Sequence, residues 1–120
     1  MNLERILELF ENLEAFLRKY GDNSILHSYR IVKRTIDFLK SEENRDEKEE
    51  YVICSYKEIF PGRGALSEFY IWDNDFKTRK SLNEPLEYIH KELWTIIKDY
   101  IWDRKNLFTT KHSYSDIQAS

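Results

Sequence analysis

Apolar side chains recur every three or four residues in three segments of this chain, which is the spacing of one face of an α-helix. In residues 2–20 this stripe consists of Leu3, Ile6, Leu7, Phe10, Leu13, Leu17 and Tyr20. Leu9 and Phe16 lie off the stripe and indicate either a second buried face or a contact with a partner. Gly21 is expected to end this first helix. A chain with such faces buries them by packing helices against one another.

Two further segments repeat the pattern. The second comprises Ile25, Leu26, Tyr29, Val32, Ile36 and Leu39, with Asp22 or Asn23 as its N-cap. The short link predicts that these first two helices are antiparallel. The last and clearest stripe comprises Leu82, Leu86, Ile89, Leu93, Ile96, Ile97, Tyr100 and Ile101. Asn83 is the predicted cap of this helix, because it places Pro85 in the first turn, where the missing N–H costs nothing.

The middle of the chain is less regular. Residues 42–50 hold six acids and two bases without an apolar side chain, which predicts a solvated loop or a frayed helix end. Residues 51–60 predict a short helix, although 51–54 alone also fit a strand. Pro61 and two nearby glycines then break it. Residues 65–72 are expected to be a short extended segment or part of a hairpin that turns at 73–75.

Composition supports a mainly α fold. The chain has 120 residues, enough for one domain, and 41% of them are hydrophobic, so a packed core is feasible. Three glycines and two prolines leave few turns, which disfavours a sandwich or barrel. We predict a four-helix, partly antiparallel bundle over residues 1–108, with a glycine turn and a short extended segment before the last helix. Residues 109–120 lose the pattern and predict a flexible tail.

The ionisable and sulfur-containing residues offer no cofactor or metal site. Cys54 is the only cysteine, which excludes an internal disulfide, and its apolar neighbour Ile53 predicts burial. His27, His90 and His112 are far from one another and from Cys54 in sequence, so no metal-ligand spacing is present. The acidic start lacks the features of a secretion signal, and the apolar runs are too short to span a bilayer. We therefore expect a cytoplasmic protein with no cofactor and no membrane partner.

Two features are compatible with anion binding. Gly62, Arg63 and Gly64 form a turn whose N–H groups and guanidinium could cradle an anion, which makes a small-ligand protein or enzyme the alternative function. A structural turn is the simpler interpretation, because the spacing matches neither a P-loop nor a dinucleotide fingerprint. Basic residues also cluster as Arg30, Lys33 and Arg34 and as Lys77, Arg79 and Lys80. The formal net charge of −3 makes a solvated face the default for both clusters and argues against nucleic-acid binding.

Aromatic and acidic residues occur together more often than a small core requires. One set comprises Tyr70, Trp72, Asp73 and Asp75, and the other comprises Glu47, Glu49 and Glu50. Tyr and Trp supply large contact areas in interfaces, while acids steer cationic partners. We predict that these residues bind a protein partner. The competing interpretation is that the aromatics fill the core and that Asp73 and Asp75 form a turn.

Residues 60–69 read Phe60-Pro61-Gly62-Arg63-Gly64-Ala65-Leu66-Ser67-Glu68-Phe69 and are followed by the helix that contains Asn83. This stretch resembles a family of small bacterial domains of unknown function marked by Phe-Gly-Gly-Met-Gly-Ser-Leu/Phe-Asn-Asp-Leu. Phe60, Gly62, Gly64 and Leu66 match that motif, whereas its Asn-Asp pair is replaced by Ser67 and Glu68. The resemblance covers about a third of the chain. It implies a domain similar to immunity proteins in size, in cytoplasmic character and in its place beside toxin genes, and it brings no catalytic residues.

These observations together predict a non-catalytic, protein-binding domain. The specific expectation is an immunity protein that neutralises a cognate bacterial toxin. It rests on aromatic and acidic surface residues without a catalytic constellation, and on the resemblance. The oligomeric state and the identity of the partner do not follow from the sequence.

Overall fold

Four α-helices make up most of the chain, as the apolar stripes predict. The computed structural model describes the backbone of residues 1–61 and 66–111, and the side chains of 1–61 and 66–101. The helices are α1, Leu3–Tyr20; α2, Leu26–Leu39; α3, Arg45–Ile59; and α4, Phe76–Lys111. Short 3₁₀ turns lie at Asn23–Ile25 and Leu66–Glu68, and no strand occurs in the described ranges. The predicted mainly α, four-helix fold is confirmed.

Each helix runs antiparallel to its neighbours. Glu11 pairs with Lys40 at 3.1 Å, and Glu14 accepts a hydrogen bond from the Tyr29 hydroxyl at 2.7 Å, so α1 and α2 run in opposite directions. The Phe38 and Tyr51 rings stack at 4.4 Å, which joins the end of α2 to the beginning of α3. Contacts between α3 and α4 and between α4 and α1 close the ring of helices. The bundle is therefore an up-down-up-down arrangement.

The core lies along the axis of this ring. Leu9 and Phe16, which lie off the main stripe of α1, are both buried, because α1 packs against α2 on one side and α4 on the other. The second buried face predicted for this helix is confirmed. The largest fully enclosed side chains are Phe10, Phe60, Ile6, Leu9, Leu13, Ile59, Leu66, Leu93 and Ile97.

Gly21 ends α1 as predicted, but not through a left-handed backbone. Its φ of −74° and ψ of 159° are extended, a conformation open to any residue. A Cβ atom at this position would lie 2.5 Å from the Leu17 carbonyl oxygen and would overlap the Ile25 side chain. A glycine fits at position 21 because Leu17 and Ile25 leave no room for a side chain there. Asp22, one of the two predicted caps, accepts a hydrogen bond from the Ser24 N–H at 2.9 Å and starts the next turn.

The predicted starts of the last two helices were wrong. α3 begins at Arg45, within the stretch predicted to be a loop or frayed end, because the Asn44 side chain accepts the Glu47 N–H at 2.9 Å and caps the helix. Its acidic first turn also complements the positive end of the helix dipole. α4 begins at Phe76 rather than at Asn83. Asp75 is the cap, since its carboxylate accepts the Thr78 N–H at 2.9 Å and the Thr78 hydroxyl at 2.8 Å.

Two other predictions concern single regions. Cys54 is exposed rather than buried, because it lies on the side of α3 that borders the α2–α3 groove. The segment between the second 3₁₀ turn and α4 is irregular, and the predicted hairpin is not formed within it. The glycine turn at 62–64 and nearly all of the predicted tail at 109–120 lie outside the described residues.

Candidate functional site

The segment before α4 is held against that helix by one buried side chain. The Asn83 amide, 4% exposed, accepts the Ile71 N–H at 2.8 Å and donates to the Ile71 carbonyl at 2.9 Å. It also donates to the Arg79 carbonyl at 2.8 Å within its own helix. One amide thus satisfies both backbone polar groups of Ile71, which fixes the position of the residues on either side.

The predicted acidic pair Asp73 and Asp75 shapes the turn that follows. The Asp73 carboxylate accepts the Asp75 N–H at 2.9 Å, and its carbonyl accepts a hydrogen bond from Arg79 at 3.2 Å. Hydrogen bonds from the backbone and hydroxyl of Thr78 lower the pKa of Asp75, which favours the charged carboxylate at the helix N-terminus. Both acids therefore organise the local backbone, in agreement with the simpler interpretation made from the sequence.

Trp72, which follows the clamped Ile71, forms a cluster with Phe76 and Arg79 of the first turn of α4, and these three residues are here called the aromatic patch. The Trp72 side chain is 69% exposed and that of Phe76 is 65% exposed. The Arg79 guanidinium lies 4.5 Å from the centre of the Trp72 ring and 5.4 Å from that of Phe76. Such cation–π contacts orient both rings. Tyr70, also a predicted site residue, is 55% exposed on the same segment.

Sequence reasoning identified Trp72 and Tyr70 but missed Phe76 as a site residue and assigned Arg79 only to a basic cluster. The signal was the Asp75-x-x-Thr78 capping pattern, which starts the helix at Phe76. Phe76 and Arg79 are then three residues apart on one helical face. The apolar stripe does not reveal the first turn of α4, because the residues of that turn are exposed and contribute nothing to the core.

The predicted acidic residues of α3 have separate roles. Glu49, with a side chain 20% exposed, pairs with the Met1 amino group at 3.5 Å and with Arg45 at 3.3 Å. Glu47 is exposed and accepts a hydrogen bond from the Asn44 side-chain amide at 2.7 Å, so the same side chain that caps α3 also holds Glu47. Glu50 is exposed and borders a groove between α2 and α3.

The structure does not bring these acids and the aromatic patch together. Glu49 lies beside Met1, at the beginning of α1. The segment before α4 lies beside the other end of α1, where Phe69 and Phe16 pack edge to face at 6.5 Å. Along α1 the distance from Leu3, next to Met1, to Phe16 is about 20 Å, at a rise of about 1.5 Å per residue. The two predicted sets therefore belong to opposite ends of the bundle.

Two titratable side chains meet at the α3–α4 interface: Tyr56, which is buried, and His90, which is half-buried. The Tyr56 hydroxyl and the His90 Nε2 lie 3.0 Å apart, and the imidazole stacks on Phe60 at 4.1 Å. Burial lowers the pKa of His90 and raises that of Tyr56, so both side chains favour their neutral forms. A cavity of about 140 Å³ borders His90 and Tyr70. A neutral imidazole stacked on a phenyl ring serves packing between α3 and α4.

The remaining sequence candidates contribute no assembled site. Gly62, Arg63 and Gly64, the predicted anion-binding turn, lie outside the described residues. Arg30, Lys33 and Arg34 are exposed on α2, as a solvated face requires. Across residues 1–61 and 66–101, no three His, Cys, Asp or Glu side chains gather in a way that would hold a metal ion.

Two further findings concern similarity to known proteins and the capacity of the helices to span a membrane. Comparison with known protein families, with curated proteins and with solved structures found no match for this chain. No helix in the described part of the chain combines the length and apolar character needed to cross a bilayer.

Proposed function

We propose that this chain is a non-catalytic protein-binding domain that contacts its partner through the aromatic patch. The observation that carries this proposal is the exposure of two aromatic side chains, Trp72 next to the clamped Ile71 and Phe76 at the start of α4. Large aromatic side chains are normally buried where the fold allows it. Trp and Arg are also the residue types most enriched among those that dominate binding free energies.

Preorganisation strengthens the proposal. Binding by a mobile loop loses free energy because the loop must be ordered. In the aromatic patch, Asn83 anchors Ile71, Asp75 caps α4, and Arg79 orients the two rings. A partner would therefore meet rings that are already positioned, which reduces the entropic cost of association.

The more specific form of the proposal is an immunity protein that acts in the bacterial cytoplasm and neutralises a cognate toxin. Its support is the resemblance of residues 60–69 and the following helix to small bacterial domains of the immunity type. The proposed mechanism is steric: the bound domain covers the active site of the toxin or blocks its movement. This mechanism requires no catalytic residue and no cofactor in the chain.

The test is affinity capture from a lysate of the native cell, followed by a measured dissociation constant for the protein retained. The informative variant is Trp72→Ala combined with Phe76→Ala, because both side chains are exposed and their loss leaves the core intact. Charge reversal at Asp75 is a poor choice, since it removes the cap of α4. Leu26→Ala is the matched control, because Leu26 is an exposed apolar residue, at 41%, on a different helix.

We expect wild type and Leu26→Ala to retain one stoichiometric protein, and the double variant to bind it at least tenfold more weakly, as for a typical pair of interface anchors. A toxin domain as the retained protein, with its activity abolished in the complex, supports the immunity form. Unchanged affinity of the double variant would contradict a role for the aromatic patch. A retained partner that is not a toxin would contradict the immunity form alone.

A further inference from the structure

A cavity of about 140 Å³ lies where the second 3₁₀ turn and the residues after it face α4, beside the end of α3. Its floor consists of the buried apolar side chains of Phe60, Leu66 and Leu86. Exposed side chains, among them Tyr70 and Glu87, also line it, so the cavity is open to solvent. An apolar floor with a few polar groups around it is the usual form of a small-molecule site.

The aromatic walls of the cavity are held in place before anything binds. Phe60 stacks on the His90 imidazole, with the ring centres 4.1 Å apart and the planes 11° apart. Phe69 packs edge to face on Phe16 at 6.5 Å, and its N–H donates to the Leu66 carbonyl at 3.1 Å. A ligand would therefore meet rings that need little reordering, which lowers the entropic cost of binding.

The volume of the cavity limits the ligand to a single ring. In another protein, an apolar cavity of about 150 Å³ holds benzene. The cavity described here is of similar size, and three aromatic side chains line it, those of Phe60, Phe69 and Tyr70. Aromatic pairs gain binding free energy beyond that of their buried area. Size and lining therefore favour one aromatic ring over an aliphatic or a larger molecule.

One polar side chain of the lining selects the substituent of that ring. The Asn83 amide is committed to Ile71 and Arg79. The Nε2 of His90 lies 3.0 Å from the Tyr56 hydroxyl, which leaves Nδ1 as the second polar atom of the imidazole. Burial lowers the pKa of His90, so the ring is neutral at pH 7.5 and its Nδ1 either donates or accepts, according to the tautomer. A hydroxyl group both donates and accepts, so it matches either tautomer.

The charges around the cavity disfavour an ionised ligand. Among the lining residues that the structure describes, only Glu87 carries a charge, and it repels a carboxylate at the opening. Lys91, one turn further along α4, is exposed and is not part of the lining. A cation would have to leave water for a buried apolar floor, and one exposed carboxylate returns little of that cost.

We propose that this cavity binds a neutral, single-ring aromatic molecule that carries a hydroxyl group, a ligand of the phenol class. The ring would contact Phe60 and Phe69, and the hydroxyl would share a hydrogen bond with Nδ1 of His90. This inference does not depend on the proposed function, because Trp72 and Phe76 are not among the lining residues.

The test is a titration of the ¹⁵N-labelled protein with phenol at pH 7.5, followed through amide chemical shifts. We expect saturable shifts at residues around the cavity, with a dissociation constant of about 1 mM or lower, as a ligand of about seven non-hydrogen atoms allows. Cyclohexanol keeps the hydroxyl and the ring size but is not aromatic, and benzoate is charged. Each should bind more weakly than phenol, by about fivefold or more.

Variants locate the binding. Ser67→Phe places a ring at the exposed opening and should weaken phenol binding, whereas Ser81→Phe, at an exposed position of α4 outside the lining, should not. His90→Phe keeps a ring beside Phe60 but removes Nδ1. In this variant the ratio of phenol affinity to toluene affinity should fall about fivefold or more, because lost packing alone would weaken both ligands. The Trp72→Ala and Phe76→Ala double variant should bind phenol like wild type.

Four results would overturn the inference. Shifts that stay linear in phenol far above the expected dissociation constant would mean that the cavity holds only water. Equal weakening by Ser67→Phe and Ser81→Phe would place phenol elsewhere on the surface. An unchanged ratio of phenol to toluene affinity in His90→Phe would show that the hydroxyl does not use this imidazole. Tighter binding of benzylamine than of phenol would make Glu87 the residue that selects the ligand.

Discussion

The Asn83 side chain forms two hydrogen bonds with Ile71, accepting from its N–H at 2.8 Å and donating to its carbonyl at 2.9 Å. A neighbouring strand would satisfy a backbone residue in the same way. In this helical protein, one buried amide takes that role and holds an irregular segment against α4. The backbone next to the exposed Trp72 is therefore fixed by Asn83, a residue that is itself buried.

Removing the Asn83 amide should destabilise the fold. In Asn83→Ala, both polar groups of Ile71 lose their partners at a half-buried position, which costs about 2 kcal/mol. Urea unfolding measures the loss. The control is Asn12→Ala on the exposed face of α1, which should stay within about 0.5 kcal/mol of wild type. Equal stability of the two variants would contradict the clamp.

The buried hydroxyls of Thr35 on α2 and Ser55 on α3 share a hydrogen bond at 2.7 Å and should show energetic coupling. Thr35 also donates to the Ile31 carbonyl at 2.8 Å, so it keeps one partner when Ser55 is replaced by alanine. Thr35→Val instead leaves the Ser55 hydroxyl, 5% exposed, without this contact. A double-mutant cycle on the free energy of unfolding should give a coupling of about 1 kcal/mol. Additive single effects would mean that the 2.7 Å contact contributes no stability.

Gly21→Ala should destabilise the α1–α2 connection. An alanine at a compatible φ would normally stabilise a protein by about 0.4–1 kcal/mol through the unfolded state. Here the added Cβ would lie 2.5 Å from the Leu17 carbonyl oxygen, which is held by its hydrogen bond from the Gly21 N–H at 2.7 Å. Overpacking of this kind costs about 1–3 kcal/mol, so the steric effect outweighs the entropic one.

Thermal unfolding measures the effect of this substitution. Asn23→Ala, at an exposed position in the same connection, is the control and should leave the melting temperature nearly unchanged. A higher melting temperature for Gly21→Ala than for wild type would show that the connection has room for a side chain.

Stability should fall in mildly acidic solution because of His90. Burial lowers the pKa of this side chain in the folded protein, whereas in the unfolded chain it has its ordinary value near 6.5. As the pH falls, the unfolded state therefore binds a proton at His90 before the folded state does. The free energy of unfolding is unaffected by His90 above pH 6.5 and decreases as the pH falls from there towards the folded pKa. Urea midpoints at pH 7.5 and 5.5 measure this loss.

The non-titrating variant His90→Gln isolates the effect, because every carboxylate titrates in both proteins. We expect wild type to lose more stability than His90→Gln between the two pH values. The same pH dependence in both proteins would show that the His90 imidazole is as accessible to protons when folded as when unfolded.

The helices predicted from the sequence were correct where buried apolar residues define them. The stripes of α1 and α2 are long, and Gly21 and Asp22 mark their connection, so the first helical hairpin could be derived from periodicity. The starts of α3 and α4 could not be derived in this way. Their first turns are made of exposed residues, and the hydrogen bonds of Asn44 and Asp75 define them instead. Both caps have recognisable sequence signals, but the signals are short and occur in many turns.

The sequence by itself determined that the chain forms amphipathic helices, because the 3.6-residue period and the shortage of turn residues leave few other ways to bury its apolar side chains. Tertiary structure alone decided which surface each polar or aromatic residue occupies. Asn83 is a clamp rather than a cap, and Glu49 lies at the opposite end of the bundle from Trp72. The physical reason is range: periodicity reports contacts within one helix, whereas these placements depend on pairs such as Phe16 with Phe69, more than fifty residues apart in sequence.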